Sequence, residues 1–204
     1  MATLDAALQN VDHFEIVVPP TADRHKVFAD VAAVYDNRKV ELTEEGHIII
    51  ASPAGLEGGY LSGEVFFQLA NWARKTGTGK AFDSSAGFYV TPNQNRSPDA
   101  AWVSNARIAS IPKQDRQAFA PFCPDFAIEV RSPSNNLDDL RAKCRAYVEN
   151  GASQAWLIDP KRQLVEVFTE QNPSANIEHR EVVLRGTGPL TGFELDLTPI
   201  WQGL

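Results

Sequence analysis

The sequence of 204 residues predicts a mixed α/β (α+β) fold, and three patterns support this class. Residues 125–159 run in the order strand, helix, strand, which predicts two parallel strands joined by a right-handed crossover. Residues 60–75 place apolar side chains on one stripe and predict a second helix. β-rich runs surround both helices, and a hydrophobic content of 43% is enough for a buried core.

The N-terminal part of the chain predicts a short helix and then a β-hairpin. Residues 22–36 follow the breaker "PPT" and repeat apolar residues at helical spacing. The run "RKVELTEEGHIII" (38–50) predicts two antiparallel strands, with Gly46 at a positive φ in their turn. We therefore expect residues 1–37 to form an N-terminal extension packed on a core made of residues 38–204.

The centre of the chain predicts a second hairpin, and the C-terminal part predicts further strands. Residues 80–92 and 96–104 read as two strands joined by the turn "PNQN". Serine and asparagine caps at its start and Gly151 at its end predict a helix over 137–150. The runs "QLVEVFTE", "EHREVVLRG" and "GFELDLTPIW" then predict additional C-terminal strands.

Charge and cysteine content argue against a protein that coats nucleic acid through a diffuse positive field and against a disulfide-rich protein. Lys and Arg number 19 and Asp and Glu number 26, so the net charge is -7 and nucleic acid would have to be bound locally. The two cysteines, Cys123 and Cys144, make no disulfide framework and favour a reducing, cytoplasmic location. Neither a signal-peptide pattern nor a run of about 18 apolar residues occurs, so we expect no membrane segment.

The stretch "CPDFAIEVRSPS" (123–134) holds two carboxylates on one face of a predicted strand. Asp125 and Glu129 are four residues apart, so their Cα atoms are separated by about 13 Å, too far to share one ion. Asp99 begins another predicted strand and could lie beside Glu129, since adjacent strands are about 4.8 Å apart. A turn cap is the alternative interpretation of Asp99. We expect Asp125 to be structural or peripheral.

Two further charged residues lie on or near predicted apolar helix faces. Lys143 lies on the apolar stripe of helix 137–150, which is unusual for a lysine. Its stem could extend to solvent, or its ammonium could meet a carboxylate, for which Glu129 on the strand beneath is the nearest candidate. Glu64 lies at the edge of the stripe of helix 60–75, where a solvated first-turn glutamate is the alternative.

Four stretches, taken in order, resemble a known family: "GEVFFQLANW", "RSPDAAWV", "CPDFAIEVRSPSNNLDDLRAKCRAYVENGASQAWLIDP" and "LTGFELDLTPIW". Together, over residues 38–201, they are similar to the Uma-two family of putative restriction endonucleases. That family belongs to the PD-(D/E)XK nuclease superfamily. The resemblance implies a restriction-endonuclease-like core, a mixed β-sheet flanked by helices, with additional N-terminal and C-terminal β-strands. It makes residues 38–204 the expected nuclease domain.

The resemblance also implies the residues of a site. It implies Asp99 as the motif aspartate, Glu129 as the following acid and Glu64 as the acid of the first core helix. Arg131 stands where the motif lysine is expected, and its permanently charged guanidinium is poorly suited to deprotonating water. Lys143 stands where similar families carry a lysine that has moved to the following helix.

A metal-dependent DNA endonuclease is the function that the resemblance implies. Asp99, Glu129 and the Val130 carbonyl would hold Mg²⁺ or Mn²⁺, because these ions prefer oxygen ligands. DNA is the implied substrate, and a homodimer is the commonest default assembly. Two alternatives stay open. One is a catalytically inactive nuclease-fold protein that binds nucleic acid or a protein partner, and the other is a structural protein in which Lys143 forms a buried ion pair.

Overall fold

The computed structural model describes residues 13–179 and 182–204. The strands in these ranges are β1 His13–Val17, β2 Lys39–Leu42, β3 His47–Ala51, β4 Gly79–Asp83, β5 Phe88–Thr91, β6 Gln94–Arg96, β7 Ala100–Ser104, β8 Phe126–Val130, β9 Gln154–Asp159, β10 Leu164–Thr169, β11 Asn172–His179, β12 Val183–Arg185 and β13 Glu194–Asp196. The α-helices are α1 Arg24–Val34, α2 Leu56–Thr76, α3 Asn105–Ala109, α4 Leu137–Glu149 and α5 Thr198–Gln202.

Two main sheets and one short β-ribbon make up the β structure. A five-stranded antiparallel sheet has the order β1-β3-β2-β6-β5, and a six-stranded sheet has the order β11-β10-β9-β8-β7-β4. In the larger sheet β8 and β9 are parallel and are joined through α4, as the sequence predicts, whereas the other pairs are antiparallel. The expected mixed sheet flanked by helices is confirmed.

The larger sheet is packed between α2 and α4. The core on the α2 face includes Leu61, Val65, Leu69, Trp102, Phe126, Ile128 and Trp156. The core on the α4 face includes Ala127, Cys144, Tyr147, Val148, Ala155 and Leu157. Successive residues of a strand point to opposite faces, so Glu129, which follows Ile128, points toward α4. This alternation brings the Glu129 carboxylate under the helix that carries Lys143.

The three longest helices follow the predicted periodicities closely, whereas α3 is not predicted and α5 occupies the end of the run "GFELDLTPIW", which predicts a strand. The helix expected over 22–36 is α1, and the helix expected over 137–150 is α4, capped by the Asn136 side chain. The helix expected over 60–75 begins one turn earlier, at Leu56. Gly46 and Gly151 adopt φ angles of 91° and 102°, as their turn and helix-end positions require.

The expected hairpin between 80–92 and 96–104 is wrong. Residues 80–92 contribute to two strands in different sheets, because Asp83 accepts a hydrogen bond from the Ser85 N–H and turns the chain after β4. Strand β5 then pairs with β6, and β7 pairs with β4 and β8 instead. The chain between β6 and β7 therefore crosses from the smaller sheet to the larger one, and Asp99 lies on that crossing.

The N-terminal elements belong to the smaller sheet. Strand β1 pairs with β3, and α1 buries Phe28 against Leu42, Ile48 and Ile50. Residues 1–12 of the expected extension lie outside the described residues.

Cys123 and Cys144 are both free thiols in the interior. Among the described residues, no helix has the length and apolar content that crossing a membrane would need.

Candidate active site

Asp99 lies beside Glu129 at one end of the β7–β8 pair. The register matches Ala100 with Ile128, so the residue before β7 lies next to the end of β8. The Asp99 Oδ2 atom accepts a hydrogen bond of 2.8 Å from the Val130 N–H. The Asp99 side chain thus binds the backbone of β8 just beyond the paired residues, and this contact fixes the carboxylate. The expected neighbourhood of Asp99 and Glu129 is thus present.

Glu129 is buried and held by two side chains of α4. Its Oε1 atom lies 2.9 Å from the Lys143 Nζ atom and accepts a 2.9 Å hydrogen bond from the Tyr147 hydroxyl. The side chains of Glu129 and Lys143 are only 3% and 9% exposed. Lys143 therefore meets a carboxylate, as expected, and the alternative in which its stem extends to solvent is wrong.

Glu41 is a third carboxylate of the site, and sequence reasoning missed it. It lies on β2 of the smaller sheet, and its Oε1 atom lies 2.8 Å from the Lys143 Nζ atom. The same oxygen accepts a 2.8 Å hydrogen bond from the Ser97 N–H, and Arg96 donates to Oε2 at 3.3 Å. Lys143 thus bridges a carboxylate from each sheet.

Lys39, two residues before Glu41 on β2, contributes a further cation. Its Nζ atom lies 3.3 Å from Asp99 Oδ1 and 3.9 Å from Glu41 Oε1. We call the whole group the charged cluster: Lys39, Glu41, Arg96, Asp99, Glu129 and Lys143. Three carboxylates face three cations, so the cluster is close to neutral. Such pairing is what allows several charges to be buried together.

Burial and neighbouring charges shift the acids of the charged cluster in opposite directions. Burial acts to raise the pKa of the Glu41 carboxyl, but Lys143, Lys39 and Arg96 outweigh it and hold this pKa well below its usual range. At Glu129 burial prevails and raises the pKa, although Lys143 and Lys39 oppose it. Of the two acids that share Lys143, Glu129 therefore takes up a proton more readily.

Asp125 and Arg131 have partners that are not members of the charged cluster. Asp125 lies at the other end of β8, where it accepts a 2.7 Å hydrogen bond from the Ser104 N–H and pairs with Arg107 at 3.3 Å. Arg131 donates to Asp159 Oδ2 at 2.7 Å. The expectation that Asp125 is peripheral agrees with this placement.

Glu64 is not brought into contact with the charged cluster. It accepts a 3.0 Å hydrogen bond from Gln68 on the next turn of α2. Within the described part of the chain, no hydrogen bond or ion pair joins it to Asp99, Glu129 or Lys143.

A signal for Lys39 and Glu41 exists in the sequence but is incomplete. In "KVEL" the two charged residues alternate with Val40 and Leu42, so they share one face of a strand. Opposite charges on one strand face usually lie in solvent, and nothing local indicates that this strand would lie against another sheet. The pairing of β2 with β6, which leads into Asp99, supplies that information.

The donor set of Asp99 and Glu129 fits a hard divalent cation. Both are carboxylates, Glu129 on β8 and Asp99 just before β7. Both contacts of Glu129 described above fall on Oε1, which leaves Oε2 outside them, whereas Asp99 Oδ1 contacts Lys39 and Oδ2 accepts from Val130. In the described residues no group of three or more His, Cys, Asp or Glu side chains could hold a metal ion. An ion here would take two carboxylates and complete its shell with carbonyl or water oxygens, as Mg²⁺ commonly does.

The six-stranded mixed sheet between two helices places the protein among mixed α/β proteins. A crystal structure described as a putative nuclease belonging to DUF820, from Anabaena variabilis, shares this fold with a TM-score of 0.67. The match covers 80% of this chain and 89% of that chain at 19% sequence identity.

The family model of Uma2, described as "Putative restriction endonuclease", matches residues 28–198. The chain belongs to this family, and the resemblance seen in the sequence is confirmed. Comparison with curated proteins gave no match.

Proposed function

We propose that the protein is a metal-dependent DNA endonuclease that hydrolyses phosphodiester bonds. The observation that carries the proposal is the position of Asp99 beside Glu129 at one end of the β7–β8 pair, with Lys143 in contact with Glu129. Membership of a family described as "Putative restriction endonuclease" supports the reaction class. The proposed catalytic residues are Glu64, Asp99, Glu129 and Lys143.

Asp99, Glu129 and the Val130 carbonyl would hold Mg²⁺ or Mn²⁺. When bound, such an ion neutralises charge on the phosphate and makes a water molecule nucleophilic at neutral pH. All three proposed ligands are oxygens, which favours these ions over zinc. We therefore expect EDTA to abolish cleavage and either ion to restore it.

The chain's own residues orient the two acids. The Val130 N–H fixes Asp99, and the Tyr147 hydroxyl and Lys143 fix one oxygen of Glu129. Such preorganised hydrogen bonds lower the cost of arranging a site during the reaction. Lys143 supplies the positive charge beside Glu129 that would orient a water molecule or stabilise phosphoryl oxygens. Glu64 would support a second ion or an ion-bound water, a role based on the family resemblance.

A cleavage assay tests the proposed function. Supercoiled plasmid and single-stranded DNA are incubated with Mg²⁺, Mn²⁺ or EDTA, and the products are separated on a gel. We expect ion-dependent cleavage by the wild type and none by Asp99→Asn. Cleavage that persists in Asp99→Asn means that the site is elsewhere. No cleavage of either substrate by the folded wild type contradicts the proposal.

A second candidate function is that of a catalytically inactive nuclease-fold protein that binds nucleic acid or a protein partner. The observation that favours it is the charge balance of the charged cluster, whose three carboxylates already face three cations. Isothermal titration with Mn²⁺, taken together with the cleavage assay, separates the candidates. Binding of Mn²⁺ without cleavage of any DNA supports this second function. We also propose that the protein is cytoplasmic and forms a homodimer. Light scattering after size exclusion would test the homodimer.

A further inference from the structure

The two lysines of the charged cluster are held very differently. Lys143 lies 2.8 Å from Glu41 and 2.9 Å from Glu129, and its side chain is 9% exposed. Lys39 has longer contacts, 3.3 Å to Asp99 and 3.9 Å to Glu41, and its side chain is 25% exposed. Lys143 is thus enclosed between two carboxylates, whereas Lys39 has longer contacts and is partly exposed.

Exposure also shows from which side the charged cluster can be reached. The Asp99 side chain is 18% exposed, whereas those of Glu129 and Glu41 are 3% and 9% exposed. Asp99 is therefore the most accessible carboxylate of the charged cluster, and Lys39 is the cation that contacts it. A substrate that approaches Asp99 meets Lys39 before it could meet Lys143.

We propose that Lys39 is the lysine that touches the substrate, with its ammonium on a phosphate oxygen of the DNA backbone. Lys143 then keeps the water-orienting part of its proposed role, beside Glu129. The inference rests on the proposed endonuclease function and adds a residue to it. Lys39 thus supplies a cation for the substrate from a strand of the other sheet, while Arg131 stands at the motif position.

The other cations nearby are less suited to this contact. Arg131 is fixed by its 2.7 Å bond to Asp159 and also donates to the Asn135 carbonyl. Arg96 is 13% exposed and donates to Glu41. Lys39 alone among the cations of the charged cluster contacts Asp99, and at 25% its side chain is more exposed than those of Arg96 and Lys143.

Lysine chemistry suits the exchange of one partner for another. The ammonium is a compact charge with three donors on a flexible stem, so it can keep Asp99 as a neighbour and turn one donor to a phosphate oxygen. Burial acts to lower the pKa of Lys39, but Asp99, Glu41 and Glu129 raise it above its ordinary value.

The salt dependence of DNA binding tests the contact without any metal. Fluorescence anisotropy of a short duplex in EDTA gives the dissociation constant between about 50 and 200 mM salt. Lys39→Met should weaken binding for all sequences and reduce the slope of log K against log[salt] by about 1. Lys26→Met is the matched control, since Lys26 also pairs with a carboxylate, Asp30, but is 71% exposed on α1. It should leave the slope unchanged.

Cleavage gives the second readout. Lys39→Met should lower kcat/KM about 100-fold, while Lys39→Arg, which keeps a cation at the same place, should recover part of the loss. Circular dichroism checks that each variant is folded. A Lys39→Met protein that cleaves DNA at the wild-type rate and keeps the wild-type salt slope overturns the inference but leaves the endonuclease function intact. A wild type that neither binds nor cleaves DNA overturns both.

Discussion

The two ends of the β7–β8 pair carry the same local motif and differ in everything around it. Pro98-Asp99 precedes β7, and Pro124-Asp125 precedes β8. Each aspartate accepts a hydrogen bond from an N–H at the far end of the neighbouring strand. Asp99 accepts from Val130 at 2.8 Å, and Asp125 accepts from Ser104 at 2.7 Å. The antiparallel pairing makes the two arrangements nearly symmetrical.

The two ends differ in the charged side chains that other elements place beside the aspartate. Asp125 has Arg107 as its ion-pair partner. At the Asp99 end, β2 of the smaller sheet brings Lys39 and Glu41, and α4 brings Lys143. A Pro-Asp motif therefore specifies a local hydrogen bond, whereas its chemistry depends on the elements that tertiary structure places beside it.

The largest expected effect separates the two aspartates by activity. Asp99→Asn should lower ion-dependent DNA cleavage about 1,000-fold, because it removes a charged ligand from the proposed ion site. Asp125→Asn changes the charge by the same amount at the other end and should stay within threefold of wild type. Initial rates of plasmid nicking measure both. If the two variants lose activity equally, the ends are not functionally different.

Removal of Lys143 tests how strongly the Asp99 end depends on its bridge between sheets. Lys143→Met leaves Glu41 and Glu129 buried without their shared cation, so the free energy of unfolding should fall by about 3 kcal/mol. Urea unfolding followed by circular dichroism measures the change. Lys80→Met, on an exposed position of β4, is the control and should change stability by less than about 0.5 kcal/mol. If Lys143→Met lowers the free energy of unfolding by less than about 0.5 kcal/mol, the ion pairs of Lys143 with Glu41 and Glu129 do not stabilise the fold.

The low pKa of Glu41 predicts an acid sensitivity that belongs to the Asp99 end. A carboxyl whose pKa is lower in the folded state stabilises the fold above its unfolded pKa, and this contribution is lost as the pH falls. Glu41→Gln should therefore be less stable than wild type at pH 7 and lose less stability between pH 5 and pH 3. Glu149→Gln, on an exposed site of α4, should follow the wild-type pH profile. Urea unfolding at each pH measures it, and a Glu41→Gln profile parallel to wild type contradicts the prediction.

The smallest effect is expected at Glu64, which lies outside the charged cluster. Glu64→Gln should lower cleavage about tenfold if the carboxylate supports an ion-bound water, far less than Asp99→Asn. The kcat and KM values of plasmid cleavage measure it. Unchanged kinetics would remove Glu64 from the proposed catalytic residues and leave it as the hydrogen-bond acceptor of Gln68.

Much of the fold and half of the site could be predicted from the sequence. The helix at 137–149 and the parallel β8–β9 pair follow from periodicity and caps. The same periodicities place Glu129 on the α4 face of its strand and Lys143 on the sheet face of its helix. Their contact is therefore a consequence of local geometry in one short segment.

The remaining half could not be predicted because it joins distant segments. The failed hairpin at 80–104 shows this, since sheet membership depends on which strand buries which neighbour and not on the pattern within either strand. Glu41 meets Lys143 across 102 residues of sequence, and Lys39 meets Asp99 across 60. No local signal encodes such pairs.

The sequence by itself determined the family, the three longest helices, and the faces on which Glu129 and Lys143 lie, because backbone periods of 2 and 3.6 residues are local properties. Tertiary structure decided at which end of the β7–β8 pair the charged cluster lies. It did so by packing β2 of one sheet against the open end of the other, where buried carboxylates are stable only with cations beside them.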